Sequence, residues 1–134
     1  MSQINDLIIL LIALQNYAKD IHYNSNGDAF YSKHLLSDRV AENISDYIDN
    51  IKETIILARI GKPLSSGEYL KRASEKIPTI SNDTENFNKL RLLILETLSL
   101  IEKIDDMSVG ESNLIGNIAE NLQNSLGLIN RQVV

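Results

Sequence analysis

Residues 28–63 read DAFYSKHLLSDRVAENISDYIDNIKETIILARIGKP, and this stretch determines the predicted fold. Asp28 is a good N-cap, because its carboxylate can accept the free N–H groups of a first helical turn. Gly61 and Pro63 form a matching stop, since glycine takes the left-handed cap conformation and proline cannot continue a helix. We therefore predict one continuous helix of about 32 residues, which is about 48 Å long.

One face of this predicted helix is apolar. Its residues recur at steps of three and four, the spacing that keeps side chains on the side of a helix that packs against a core. They are Leu36, Val40, Ile44, Tyr47, Ile51, Ile55 and Ala58. The helix is therefore predicted to be amphipathic, with this stripe facing the protein core.

The opposite face carries two pairs of ligand-type residues, each pair four positions apart: His34 with Asp38, and Asp49 with Glu53. An i,i+4 pair can direct both side chains at one ion. Asp38 and Asp49 lie about 16 Å apart along the axis, so the pairs cannot share an ion within one chain. In a second, antiparallel copy with residue i opposite residue 87 − i, the two pairs meet. Such two-fold pairing is the commonest symmetry in oligomers.

A solvated polar face explains the same pattern of charges. Leu35, Ile56 and Ile60 fall on that face, however, and are unusual in open water. A further histidine, His22, stands just before the turn that precedes the helix. By itself, His22 is also explained as a helix-end histidine that interacts with the helix dipole. The spacing alone leaves both interpretations open.

The chain resembles the Dps-type mini-ferritins in the order and spacing of these residues. The family's ferroxidase signature is matched by His22-Tyr23-Asn24, Gly27, Phe30, His34, Asp38, Asp49 and Glu53. All five ligand positions stand at the family spacing, and the resemblance covers most of the chain. Tyr23 occupies the position of the family's tryptophan, so the quenching of oxidising equivalents attributed to that residue does not carry over directly.

The resemblance implies an all-α, ferritin-like four-helix bundle with a short extra helix in the crossover between its second and third helices. It implies a hollow homo-dodecamer with iron sites at two-fold interfaces, where one subunit supplies His22, His34 and Asp38 and its partner supplies Asp49 and Glu53. The implied activity is that of a ferroxidase, which oxidises ferrous iron with hydrogen peroxide, or more slowly with dioxygen, and stores ferric mineral. Removing iron and peroxide together protects against oxidative damage.

The resemblance also suggests how the ligands divide between metals. Glu53 and Asp38 bind the tighter iron with His22, while His34 and Asp49 help to hold a second metal or a water. The family has acidic residues near the start of its last helix, where they line an iron pore. Glu111 and Glu120 are the candidates here, but asparagines fill much of that region and we assign no pore.

The remaining segments complete a single domain over residues 1–134. Apolar periodicity predicts helices over residues 3–24, from after Asp83 to about residue 105, and from about residue 110 to 130. Ser65 with Glu68 is a capping-box pattern that predicts a short helix ended by Pro78. Gly116 and Gly127 lower helix propensity by about 1 kcal/mol each, and we expect them to mark close helix contacts.

Composition limits the partners. The net charge of −5 and the single basic residue in the two tails argue against nucleic acid, whereas an acidic shell attracts cations. The apolar run at residues 7–14 is too short to span a membrane, and no basic residue precedes it as in a signal peptide. The chain has no cysteine, which is compatible with a reducing compartment, and we expect a cytoplasmic protein.

Two other hypotheses remain. The chain could be a non-catalytic ferritin-like shell or interaction protein that has kept the dimer surface. It could also bind another divalent metal, such as zinc or manganese, because histidine and carboxylate ligands hold either. The metal content after purification separates an iron protein from a binder of another metal.

Overall fold

The structure is a computed structural model that describes residues 1–133, all of whose regular secondary structure is helical. Its elements are α1 (Ser2–Asn24), α2 (Phe30–Ala41), α3 (Ile44–Ile51), a π-helical turn (Lys52–Leu57), α4 (Ser66–Ser74), α5 (Asp83–Lys103) and α6 (Val109–Val133). Helices α2 and α3 and the π-helical turn together form the second long member of a four-helix bundle, with α1, α5 and α6 as the others. Helix α4 is the extra helix in the crossover, as predicted.

Helix α1 lies at the centre of the packing. It contacts α2 and α3 on one side and α4 and α5 on the others, while α6 packs against α5, α2 and α3. Eleven of its side chains are buried, including Leu7, Leu11 and Leu14. The predicted apolar run is therefore buried on most sides within one chain. No helix in residues 1–133 is both long and apolar enough to cross a membrane.

The second long helix begins later than predicted. Ala29, not Asp28, is the N-cap of α2, and no side chain caps this helix end. Gly27 and Ala29 both have positive φ, and the Phe30 N–H donates to the Gly27 carbonyl. This tight turn passes through Asp28 before helical geometry starts, so the carboxylate cannot serve as the cap.

The same helix is broken in its middle, where one continuous helix was predicted. Glu42 is extended and Asn43 is left-handed, with φ of 68°. Asparagine adopts this conformation more readily than most residues, because its short polar side chain can bond locally. Val40 and Ile44, on either side of the break, are both buried. The apolar stripe therefore continues across the break although the helix does not.

A π-helical turn then shifts the face that each residue presents. In a π turn the hydrogen bonds reach back five residues instead of four, which widens the helix locally. Ile55 and Ile56 are consequently both fully buried, whereas Leu57 and Ala58 are exposed. The prediction that Ile56 belongs to the polar face is wrong, and so is the placement of Ala58 in the core stripe.

The end of this helix is a Schellman cap, displaced by one residue from the predicted one. The Gly61 N–H donates to the Ile56 carbonyl at 2.8 Å, and the Ile60 N–H donates to the Leu57 carbonyl at 2.9 Å. The left-handed residue is Ile60, with φ of 58°, and not Gly61. Gly61 contributes in another way, since a Cβ at this position would make a tight contact, 3.2 Å from the Ile56 carbonyl oxygen.

The other helix starts agree with the sequence, but the predicted role of two glycines does not. The Ser65 hydroxyl accepts the Glu68 N–H, as the capping pattern predicts, and Asn82 caps α5 in the same way. A Cβ at Gly116 or Gly127 would meet no atom within 4 Å. These two glycines therefore face open space, and the close helix contacts predicted for them are absent.

Candidate metal site

His22 and His34 meet where the first two helices come together. His22 lies in the last turn of α1 and His34 in the second turn of α2, with a short turn between the helices. Their imidazole rings stack with centroids 3.5 Å apart and planes 20° apart. Both side chains are partly buried. The turn thus joins two histidines that are twelve positions apart in the chain.

The two histidines hold each other through reciprocal hydrogen bonds. Nδ1 of His22 donates to the His34 carbonyl at 2.7 Å, and Nδ1 of His34 donates to the His22 carbonyl at 2.9 Å. A carbonyl oxygen can only accept, so each Nδ1 carries a proton and each neutral ring keeps a lone pair on Nε2. Metal-binding histidines are usually oriented in this way. Both rings are therefore in a tautomer that can bind a metal through Nε2.

Asp38 follows His34 by one turn of α2 and is paired with a cation. The Nζ of Lys19 lies 2.6 Å from its Oδ1. The hydrogen bond from Lys19 lowers the pKa of the Asp38 carboxyl, and the positive charge of Lys19 adds to this effect. The same hydrogen bond raises the pKa of Lys19. The side chains of the pair are 42% and 48% exposed. Such an exposed pair contributes about 0.2–1 kcal/mol, so a competing cation can displace it.

Asp49 and Glu53 lie on the other side of the helix break. Asp49 is in α3 and Glu53 is in the π-helical turn, and both are exposed. Neither carboxylate has an ion pair or side-chain hydrogen bond with any other described residue. Both are therefore available to a ligand or to another chain.

The five candidate ligands do not converge within one chain. The described part of the chain contains no group of three or more His, Asp or Glu side chains placed to hold a metal. The structure stacks His22 on His34. Asp38 follows His34 by one turn of α2. Within the described part of the chain, Asp49 and Glu53 therefore do not join the histidine pair in one metal site.

Aromatic rings flank the histidine pair on both sides. Phe30 stacks on His34 with centroids 5.2 Å apart, and Tyr23 meets His22 edge-on at the same distance. Tyr23 is 74% exposed and Phe30 is 43% exposed. The histidines thus lie between two aromatic side chains that extend the same surface.

Glu111, a pore candidate on sequence grounds, is already neutralised. Arg59 Nε and Nη2 donate to its two carboxylate oxygens at 2.8 and 2.7 Å, and the Ser108 N–H adds a third bond at 2.9 Å. The hydrogen bonds from Arg59 and Ser108 lower the pKa of Glu111 to about 2. This carboxylate joins the end of the second long helix to the start of α6 and is not free to attract cations.

Sequence analysis did not identify Lys19 or Arg59. Lys19 precedes His22 by three positions in α1, which places a cation on the same helical face and was the available signal. Arg59 and Glu111 are separated by 52 positions, and no local pattern links them. Their pairing depends on the path of the chain between the two helices.

Comparison with solved structures identifies the fold. A Dps from Thermosynechococcus elongatus matches with a TM-score of 0.77 and 15% identity, over 98% of this chain and 88% of that one. A DPS protein from Vibrio cholerae O1 matches with a TM-score of 0.69 and 22% identity, over 99% of this chain and 87% of that one. That protein is described as a member of a broad superfamily of ferritin-like diiron-carboxylate proteins. No protein-family model and no curated protein matches the sequence. The predicted ferritin-like fold of Dps proteins is confirmed.

Proposed function

We propose that this chain is a Dps-type mini-ferritin, which binds ferrous iron at sites shared by two subunits, oxidises it with hydrogen peroxide and stores the ferric mineral. The observation that carries the proposal is the reciprocal His22–His34 pair, with Asp38 one turn away, in a chain that has the fold of Dps proteins. The hydrogen bonds use only the Nδ1 atoms, so the Nε2 atoms of two oriented imidazoles remain as ligands one turn from a carboxylate.

The donor set fits ferrous iron. Imidazole and carboxylate are ligands that bind iron in both of its common oxidation states, and an incomplete set leaves positions open for water and oxidant. In the proposed site Asp38 and Glu53 hold one ferrous ion together with His22. His34 and Asp49 hold a second ion or a water. The carboxylates offset the positive charge that grows as each ion is oxidised.

The missing carboxylates come from a second copy of the chain. Asp49 and Glu53 are exposed and unpaired among the described residues, and the antiparallel two-fold register sets them against Asp38 and His34 of the partner copy. The break at Asn43 lies at the centre of that register. Both copies carry the break next to the two-fold axis, so it does not remove the two-fold symmetry. The exposed side chains of Tyr31 and Leu35 supply apolar surface for the contact.

The electron balance of the reaction is simple. Two ferrous ions give one electron each to one peroxide molecule, its O–O bond breaks, and its oxygens leave as water or hydroxide. The ferric ions hydrolyse to oxyhydroxide and release protons. The protein binds the ions close together, directs the Nε2 atoms of the imidazoles at them and holds the product inside a hollow homo-oligomer, proposed to be a cytoplasmic dodecamer. Its proposed partners are a second copy, ferrous iron and peroxide, not nucleic acid.

The Lys19–Asp38 ion pair supports a second candidate, a non-catalytic ferritin-like shell. In that case the ammonium group permanently occupies the position next to Asp38 that a metal would take. Both side chains of the pair are about half exposed, so a metal ion can displace the lysine. We therefore favour the ferroxidase. A site for zinc or manganese uses the same ligands, and the metal content after purification identifies it.

Anaerobic titration of the purified assembly with ferrous ions, followed by peroxide and an absorbance trace, tests the proposal. We expect saturable binding and rapid oxidation, both lost in the double variant Asp38→Ala/Glu53→Ala. The matched control is Glu102→Ala/Asp105→Ala, which removes two exposed carboxylates near the end of α5. Oxidation no faster than in buffer, from an intact assembly, would contradict the ferroxidase and favour the non-catalytic shell.

A further inference from the structure

A groove between α2 and α6 has a composition unlike the rest of this acidic chain. Its volume is about 470 Å³, and it is lined by Arg39 of α2 and by Gln123, Asn124, Gly127, Leu128 and Arg131 of α6. The α6 positions follow one another at alternating steps of one and three, so they share one face of the helix. Two guanidinium groups and two carboxamides therefore open on one groove.

The chemistry of this lining selects anions. No carboxylate lines the groove, although the whole chain has a net charge of −5. Within residues 1–133, neither arginine forms an ion pair, and the side chains of Gln123 and Asn124 form no hydrogen bond. Guanidinium groups bind planar or tetrahedral oxyanions through paired N–H groups, and carboxamide NH₂ groups can donate to the remaining oxygens.

Gly127 lies in the wall of the groove. A Cβ at this position would meet no atom within 4 Å, so no neighbouring helix excludes a side chain here. The missing side chain leaves the groove open at this position.

We propose that this groove is a binding site for a phosphate-type oxyanion, held by Arg39 and Arg131 with Gln123 and Asn124. The oxyanion is either free inorganic phosphate or the phosphate group of a small ester, because a volume of this size also accommodates a small organic molecule. The site is separate from the histidine pair, and the inference does not depend on the proposed function.

Calorimetric titration of the assembled protein with inorganic phosphate, at constant ionic strength set with chloride, tests the inference. We expect saturable binding that weakens about tenfold or more in Arg39→Gln and in Arg131→Gln, because each removes a charge-assisted hydrogen bond. The matched control is Arg72→Gln, an exposed arginine on α4 with the same change in charge. Absence of saturable binding, or equal losses in all three variants, would overturn the site.

Two further experiments identify the source of the oxyanion and the place where it binds. If a nucleoside monophosphate binds tighter than inorganic phosphate and its parent nucleoside does not bind, the ligand is a phosphate ester. If the monophosphate and inorganic phosphate bind with equal affinity, the ligand is free phosphate. Gly127→Leu fills the groove with a good helix former, so we expect helix stability to be kept and binding of the monophosphate to fall about tenfold or more. Undiminished binding in this variant would show that the oxyanion binds elsewhere.

Discussion

Lys19 Nζ lies 2.6 Å from Asp38 Oδ1, so a protein cation is bound to the carboxylate that is proposed to bind iron. Both side chains are about half exposed, and the pair joins α1 to α2 beside the two histidines. If Asp38 binds iron as proposed, the Lys19 ammonium group competes with the ion for this carboxylate. The proposed affinity for iron then depends on this lysine side chain.

Replacing Lys19 should strengthen the binding of ferrous iron. Lys19→Met removes the competing charge and keeps most of the side-chain length, so we expect an affinity increase of up to about fivefold, the worth of an exposed ion pair. Anaerobic ferrous titration measures it. Lys71→Met, an exposed lysine on α4, is the control for net charge. Unchanged or lower affinity in the Lys19 variant would show that the ammonium group does not compete with iron.

Mixing two inactive variants should restore activity if the site is shared between subunits. In an assembly made only of Asp38→Ala chains, or only of Glu53→Ala chains, every proposed site lacks one carboxylate ligand. In a mixed dimer, one of the two sites combines the intact Asp38 of one chain with the intact Glu53 of the other. We therefore expect ferroxidase activity to return after the variants are unfolded together and reassembled. Mixed assemblies that stay as inactive as the separate variants would contradict a site shared between two subunits.

The Arg59–Glu111 pair should make stability depend on pH in the acid range. The folded pKa of Glu111 is lowered to about 2, so its stabilisation is fully present above the unfolded pKa of about 4.5 and is lost as the pH falls toward 2. Glu111→Gln should lower the free energy of unfolding at neutral pH by about 1–3 kcal/mol. Denaturant unfolding of both proteins from pH 7 to 2 measures the difference, which should shrink on acidification. A difference that is constant with pH would exclude this carboxylate as its source.

Ile60→Gly should stabilise the protein. Ile60 has a positive φ of 58° and is 95% exposed, so glycine relieves backbone strain and loses little burial. Avoiding a left-handed conformation at a residue with a branched Cβ is worth about 1–2 kcal/mol. The measurement is thermal unfolding at fixed protein concentration, with Ile60→Ala as the control because alanine keeps a Cβ. If the alanine variant gains as much as the glycine variant, the effect does not come from the backbone.

The all-helical class, most of the apolar stripes and the cap at Ser65 could be predicted, because each depends on residues three or four positions apart. The interior of the second long helix could not. The break at Asn43 and the π-helical turn interrupt a stretch whose local pattern is that of one continuous helix, and Ile60 is left-handed although a glycine follows it directly. Ile56 shows the consequence, since a local count of 3.6 residues per turn puts it on the polar face and the structure buries it.

The sequence by itself determined which residues carry the candidate chemistry, because the two histidines and three carboxylates stand at helical and turn spacings that can be counted along the chain. Only the tertiary structure decided what those groups contact. The reciprocal His22–His34 bonds, the Lys19–Asp38 pair and the Arg59–Glu111 pair each join separate helices. Such contacts depend on how the helices are placed against one another, and helix placement is set by the burial of apolar side chains throughout the bundle and not by any local pattern.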